Sequence, residues 1–234
     1  MNDLQRTPSF RLFSGNGLAV VPGLFFLVLL LQLAGCATVE YKALEKVGVH
    51  KRDLLARRLD KAREAQTDAR EQVVSAYERF RSLVAVDDGG LEKRYKAMAR
   101  AVERSADKAN ELGDRIDAVE SVAKALFAEW RSELSQYSNP SLRAASARNL
   151  KTTQARYDEL IRRMRSAQAR INPVLYVLQD QTLFLKHNLN ARAVSSLQSE
   201  VGRIEGKVAA LISEMQQASD EAERFMRHME TGGS

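Results

Sequence analysis

The chain has 234 residues, of which 36 are Lys or Arg and 30 are Asp or Glu, so its formal net charge at pH 7 is +6. Its single cysteine excludes an internal disulfide framework and a cysteine-based zinc site, so the fold must depend on packing. Because the basic excess is spread among many acidic residues, the charge alone does not identify a partner.

An apolar run at residues 18–33 follows two arginines and precedes the only cysteine, Cys36. This order is typical of a bacterial lipoprotein signal peptide at residues 1–35, and cleavage between Gly35 and Cys36 would leave an acylated cysteine. The alternative is an ordinary transmembrane anchor with an incidental cysteine. Because spanning takes about 20 apolar residues and this run is shorter, the signal peptide is favoured.

The mature chain is expected to begin at Cys36 and to be held on a membrane by its acyl chains. Ala37 follows the cysteine, where a signal for retention in an inner membrane would usually be an aspartate. By analogy with Gram-negative lipoproteins, we expect the inner leaflet of the outer membrane, with the body in the periplasm.

Apolar residues recur at alternating spacings of three and four through the mature chain, which predicts helices packed along a seam. Ile116, Val119, Trp130 and Leu211 are among the residues expected to be buried there. The predicted helices have similar lengths and cover residues 41–86, 91–137, 141–187 and 191–229.

Turn residues separate these helices. Glycines at positions 89 and 90 can supply the positive φ that closes a helix, and Pro140 forces Asn139 out of the α region. The third helical pattern passes over Pro173 without changing phase, which predicts a kink rather than a break.

The connection between the third and fourth helices has two interpretations. In a hairpin, Asn188 takes the left-handed position after the helix, Leu189 makes a hydrophobic contact and Asn190 caps the next helix. In the alternative, residues 141–229 form one rod about 130 Å long. The phases of the flanking patterns do not match, so the hairpin is favoured.

The predicted fold class is therefore all-α. We expect an elongated antiparallel helical bundle or coiled coil, with four helices favoured and three helices, one of them very long, as the alternative. One elongated helical domain would cover residues 36–229, followed by a disordered tail at residues 230–234.

The sequence contains no pattern that predicts catalysis or a cofactor. Residues 202–208 resemble a phosphate loop only superficially, because three residues rather than four separate the glycines and Val208 stands where Ser or Thr must contact magnesium. The three histidines are too far apart in sequence for a local metal motif. We expect no catalytic residue, no metal, no cofactor and no nucleic acid as a partner.

Two irregular segments are weak candidates for interaction surfaces. The first contains Lys46, His50, Lys51 and Arg52, which could contact phospholipid headgroups or simply begin an irregular amphipathic helix. The second lies at the far end of the predicted bundle and could bind a protein partner or only cap helices. Its candidate residues are Lys186, His187, Asn188 and Asn190.

The hairpin also predicts what each end of the bundle contains. The second segment should lie near Asp87 and Asp88 at the tip. The opposite, membrane-facing end should gather Tyr41, Trp130, Tyr137, Phe225 and Met229.

These segments carry a family resemblance. Residues 41–53 and 184–191 are similar to the signature stretches of a bacterial family known as domain of unknown function 2959, and residues 117–120 and 126–130 also fit it. The resemblance implies a predicted lipoprotein of coiled-coil character and brings no known activity. Some similar chains are likened to DNA-repair ATPases, a label that the export signal and the lack of a phosphate loop argue against.

The resulting hypothesis is a non-enzymatic, lipid-anchored envelope protein that acts as a spacer, scaffold or adaptor. Its partners would be the membrane, through the acyl chains on Cys36, an envelope protein and phospholipid headgroups. The alternative is a lipid-binding module that accommodates acyl chains or headgroups between its helices. Small residues along the seam favour tight packing and therefore the scaffold.

Overall fold

The computed structural model describes residues 50–85 and 90–231, and within these ranges the chain forms six helices and no strand. The helices are α1 (Lys51–Val84), α2 (Leu91–Glu133), α3 (Pro140–Ala169), α4 (Ile171–His187), α5 (Ala191–Ser196) and α6 (Gln198–Thr231), and a 3₁₀ turn, Leu134–Gln136, follows α2. The all-α fold class is confirmed. The predictions on Gly35, Cys36, Tyr41 and Lys46 lie outside the described residues.

The helices pack as an antiparallel four-helix arrangement in which α3 and α4 together form the third member. Thr153 of α3 lies near His228 of α6 at 3.4 Å, and Arg163 of α3 donates to Gln217 of α6 at 3.1 Å, so the contacts run in opposite directions along the two helices. α1 contacts both α2 and α6, and α2 contacts α3 and α4. The hairpin between the third and fourth predicted helices is confirmed, and the single rod is wrong.

The predicted turn chemistry at the helix starts is also confirmed. Gly90 has φ 79°, the left-handed conformation that glycine adopts without steric cost, and precedes α2. Asn139 is extended, with φ −87° and ψ 115°, and Pro140 occupies the first turn of α3. Proline fits there because the first N–H groups of a helix have no partner within it.

The third member of the bundle is interrupted at Arg170, close to Pro173, where the sequence predicts a kink. α3 ends at Ala169, and Arg170 keeps right-handed helical geometry with φ −74° and ψ −16° before α4 begins at Ile171. Pro173 has no N–H to donate to the carbonyl of Ala169, so the regular bonding is interrupted while the chain continues in the same direction.

The detailed prediction for the turn between α4 and α5 is half right. Asn188 has φ −129° and ψ 45°, so its predicted left-handed conformation is wrong. Its side-chain Nδ2 instead donates to the carbonyl of Phe184 at 3.1 Å, which satisfies an acceptor at the end of α4 without positive φ. The N-cap prediction for Asn190 is confirmed, because its Oδ1 accepts from the N–H of Ala193 at 3.0 Å.

The buried residues follow the predicted seam in all four members of the bundle, and Ile116, Val119 and Leu211 are buried as expected. Trp130 is only half-buried, because it lies beyond the point where Lys51 of α1 contacts α2. α6 continues through Thr231, two residues into the predicted tail. The largest fully buried side chains include Phe80, Leu112, Ile116, Leu160, Leu178 and Phe225.

One buried polar side chain connects two helices inside this core. Gln66 of α1 is 4% exposed, and its Nε2 donates to the carbonyl of Met215 in α6 at 2.5 Å. This bond satisfies the amide where water is excluded, and it sets the register of α1 against α6.

Candidate functional site

The bundle has two ends that differ in chemistry. We call the proximal end the one that holds the start of α1, the turn between α2 and α3, and the end of α6. The distal end holds the end of α1, the start of α2 and the turn between α4 and α5. The sequence candidates divide between them, with His50, Lys51 and Arg52 at the proximal end and Lys186, His187, Asn188 and Asn190 at the distal end.

At the proximal end, the first basic residues of α1 bind other helices of the bundle. Lys51 Nζ lies 3.0 Å from Glu129 Oε1 of α2, and the lysine side chain is only 10% exposed. Arg52 Nη2 donates to the backbone carbonyl of Met229 at 2.6 Å. These contacts connect the start of α1 to α2 and α6 and give both cations an intramolecular role, whereas His50 is exposed at the helix N-cap.

The turn between α2 and α3 is well supported. Asn139 Oδ1 accepts from the N–H of Ser141 at 2.9 Å and from the N–H of Leu142 at 3.3 Å. Trp130 Nε1 donates to Ser146 Oγ at 2.9 Å, which ties the end of α2 to the first turns of α3. The cap and the cross-helix bond hold the turn in one conformation.

Interior aromatic residues lie just behind this end. The ring of Tyr157 makes edge-to-face contacts with Phe127 and Phe225, with centroid separations of 5.4 and 6.1 Å. Burial, and secondarily the charge of Glu120, raise the pKa of Tyr157 well above its usual range. Trp130, Tyr137, Phe225 and Met229 do lie at this end, as expected, but Phe225 and Met229 are buried and form no part of its surface.

His228 is part of the same packed region. Its Nε2 lies 3.4 Å from Thr153 Oγ1. Burial lowers the pKa of His228, and the positive charges of Arg156 and Arg52 lower it further. The imidazole is therefore favoured in its neutral form where α3 meets α6.

The distal end presents exposed apolar residues and two surface grooves. Leu183 is 61% exposed and Phe184 is 40% exposed, both on α4. A groove of about 380 Å³ between α2 and α4 is lined mainly by small and apolar side chains, including Ala99, Val102, Ala106 and Leu183. The predicted proximity of Lys186, His187 and Asn188 to Asp87 and Asp88 lies outside the described residues.

The second distal groove, between α1 and α2, is more polar. Its volume is about 650 Å³, and Arg79, Lys93 and Arg94 line it. Arg94 Nη1 donates to Ser82 Oγ at 2.8 Å and so bridges the two helices.

Among residues 50–85 and 90–231, no group of three or more His, Cys, Asp or Glu side chains could hold a metal ion. Gly202 and Gly206 lie within α6 rather than in a loop after a strand, so they cannot wrap a phosphate. In the part of the chain that the structure describes, no helix is sufficiently long and apolar to span a bilayer.

Comparison with known proteins assigns the chain to a family. A family model described as "Protein of unknown function (DUF2959)" matches residues 40–229. The chain belongs to this family. The match confirms the resemblance carried by the two irregular segments and covers all the helices up to Met229. No curated protein matches the chain.

Sequence reasoning placed Tyr137 at the membrane-facing end, but it missed the exposed Leu142 and the absence of acidic residues around the turn between α2 and α3. Tyr137 is 41% exposed and Leu142 is 57% exposed there, although both are large and partly or wholly apolar. The signal was present in the sequence, because no Asp or Glu occurs at residues 134–157. A search for the spacing of apolar residues does not detect such a stretch, because its distinguishing feature is the absence of negatively charged residues.

Proposed function

We propose that this member of the family is a non-enzymatic, lipid-anchored envelope protein whose helical bundle acts as a spacer, scaffold or adaptor. The proposed anchor is an acylated Cys36, and the proposed location is the inner leaflet of the outer membrane, facing the periplasm. Residues 18–36 support the anchor because an apolar run, small residues and the only cysteine occur there in the order of a lipoprotein signal.

The observation that carries the scaffold hypothesis is the closed, small-residue core of the bundle. Ala62, Ala69, Ala76 and Ala123 are fully buried, so the helices approach closely along much of their length. A bundle that encloses an acyl chain needs internal volume that such packing removes. The 43 residues of α2 extend for about 65 Å, enough to hold the distal end well away from an anchoring membrane.

The anchor is tested with the full chain by metabolic labelling with palmitate. Cys36→Ala should abolish incorporation of the label and leave the signal peptide in place, because the thiol that receives the diacylglyceryl group is missing. Ala37→Asp is the matched control, since it should keep the label and move the protein to the inner membrane. Unchanged labelling of Cys36→Ala would refute the anchor.

The scaffold role is tested by site-specific photo-crosslinking in intact envelopes. A crosslinking residue at exposed His187 should capture a defined envelope protein if the distal end is the adaptor surface. The same residue at Ala209, which is exposed on α6, is the control for nonspecific capture. Identical products from both positions, or none from His187, would count against a distal partner.

The groove between α2 and α4 gives the lipid-binding alternative a defined location. Its lining by Ala99, Val102 and Ala106 is the observation that favours this alternative. Native mass spectrometry of the purified protein would show a noncovalent lipid, and Ala106→Leu should remove it by filling the groove. A lipid-free wild-type protein would leave the scaffold as the better account.

A further inference from the structure

The proximal end carries a cluster of positive charges that no described acidic side chain neutralises. Arg143, Arg148, Lys151 and Arg156 are exposed within the first 17 residues of α3, and none of them makes an ion pair with another described residue. No Asp or Glu occurs at residues 134–157. Solvated helix faces usually mix the two signs of charge, and the opposite half of α3 does so through pairs such as Arg163 with Glu159.

This basic segment projects beyond its neighbours. Thr153 lies beside His228, and α6 ends three residues later at Thr231, so residues 140–149 extend about 15 Å past the end of α6. On the other side, Lys51 at the start of α1 already contacts Glu129 of α2. The described part of the bundle therefore ends in a projection that consists of the last turn of α2, the connection after it and the first part of α3. We call residues 134–151 of this projection the basic tip.

The basic tip also presents apolar surface at its outermost point. Tyr137 precedes the turn and Leu142 lies in the first turn of α3, and both are exposed. The Asn139 cap and the bond from Trp130 to Ser146 hold this end rigid. Interfacial membrane binding has two components, the insertion of apolar side chains and the attraction of cations to anionic lipid. This ordered turn presents both kinds of side chain.

We propose that the basic tip docks onto an anionic phospholipid surface, with Tyr137 and Leu142 entering the headgroup region and Arg143, Arg148 and Lys151 contacting lipid phosphates. An acidic protein or a nucleic acid would satisfy the cations and leave the apolar end in water, so a bilayer fits both features better. That the basic tip meets the same membrane that holds Cys36 rests on the proposed function. The chain from Cys36 to His50 can span at most about 50 Å, which keeps the proximal end near that membrane. The charge pattern and the exposed apolar residues of the basic tip do not depend on the proposed anchor.

The experiment places an environment-sensitive fluorophore on Leu142→Cys in the full processed chain, reconstituted in vesicles. Acylation consumes the Cys36 thiol, so the new cysteine is the only labelling site. The fluorescence should shift to the blue in vesicles of phosphatidylglycerol and phosphatidylethanolamine and remain water-like in phosphatidylcholine alone. The matched probe is Leu183→Cys, similarly exposed at the distal end, and it should stay water-like in both.

Charge reversal tests the cations separately. Arg143→Glu, Arg148→Glu and Lys151→Glu together should lower the fraction of inserted tip by at least about tenfold, because each cation near an anionic surface contributes severalfold. Arg79→Glu, Lys93→Glu and Arg100→Glu make the same charge change at exposed distal positions and should leave the shift intact. A water-like Leu142 probe in anionic vesicles, equal shifts at both probe positions, or equal loss in both triple variants would overturn the proposal.

The proposals for the anchor and for the basic tip can be refuted independently of each other. The intact mass of the purified protein reports acylation of Cys36 and so tests the anchor alone. A parallel full chain that also carries Cys36→Ser keeps its apolar run and is reconstituted in the same vesicles. Its Leu142 probe tests the tip whether or not the natural cysteine is acylated.

Discussion

The turns at the two ends of the bundle are held by different kinds of contact. At the proximal end, polar bonds join separate helices, as Lys51 does with Glu129 and Trp130 with Ser146. At the distal end, Asn188 and Asn190 satisfy backbone groups of their own turn. The polar bond between helices at the distal end, from Arg94 to Ser82, joins α1 and α2 and leaves the turn between α4 and α5 without such a bond among the contacts described here. The turn between α2 and α3 is therefore held across helices, whereas the turn between α4 and α5 is fixed mainly by its own asparagines.

The largest expected effect concerns the core that both ends share. Ile116 is fully buried in the middle of α2, so Ile116→Asp should lower the free energy of unfolding by several kcal/mol, because it buries a carboxylate without a partner. Thermal unfolding followed by circular dichroism measures the loss. Ala128→Asp, at an exposed position of the same helix, should be nearly neutral. Similar losses in both variants would contradict the assigned helix faces.

A second prediction compares ion pairs at the two ends. Glu129→Gln should cost about 1–3 kcal/mol, because it replaces the charged acceptor of a hydrogen bond from the largely buried ammonium of Lys51 by a neutral one. Glu92→Gln breaks the exposed pair with Lys96 at the distal end and should cause no measurable change. Urea unfolding of both variants provides the comparison. A larger loss for Glu92→Gln than for Glu129→Gln would show that the ion pair between Lys51 and Glu129 does not stabilise the proximal end.

Glycine replacements should give a smaller effect of the opposite sign. Gly206 is exposed within α6, and an added Cβ would meet nothing within 4 Å, so Gly206→Ala should stabilise the protein by about 0.5–1 kcal/mol. At Gly113 of α2 an added Cβ would come within 2.7 Å of Gln168 Nε2. Gly113→Ala should therefore gain less, and equal midpoint shifts in thermal unfolding would argue against that close approach.

The smallest predicted effect is a pH dependence at the proximal end. Burial, Arg156 and Arg52 lower the pKa of His228 below its ordinary value, so the folded state binds a proton less readily than the unfolded chain. The stability associated with the neutral ring is present above pH of about 6.5 and is lost as the pH falls below that value. His228→Gln should reduce the loss between pH 7.5 and pH 5, and His187→Gln should not. Chemical unfolding at both pH values decides the matter.

Much of the fold could be predicted because the spacing of apolar residues within a single helix indicates which of its faces is buried. The spacing of Leu160, Met164, Ala167 and Ile171 identifies one buried face, and the structure confirms it across the interruption at Arg170. Asn188 could not be settled in this way. Asparagine closes a helix either by adopting positive φ or by bonding through its side chain, and the choice depends on Phe184 presenting a free carbonyl.

Surface roles were harder to predict because they depend on which side chains find partners in space. The sequence marked Lys51 and Arg52 as candidates for headgroup binding, yet the fold supplies Glu129 and the Met229 carbonyl for them. Arg143 and Arg148 were not among the residues that the sequence indicated as candidates, although neither forms an ion pair within the described bundle. Which cations remain exposed is decided by the relative lengths of the helices, and a local pattern does not contain that information.

The even number of passes through the bundle has a practical consequence for anyone who modifies this protein. α1 starts and α6 ends at the same end, so an affinity tag or fluorescent domain fused after Ser234 would begin three residues from Thr231, beside the basic tip. Such a fusion would crowd the surface that is proposed to meet lipid. An insertion between Asn188 and Asn190 would place the same cargo at the opposite extremity, where a turn already exposes the chain. Comparing the two fusions in living cells would distinguish the ends without changing a single native side chain.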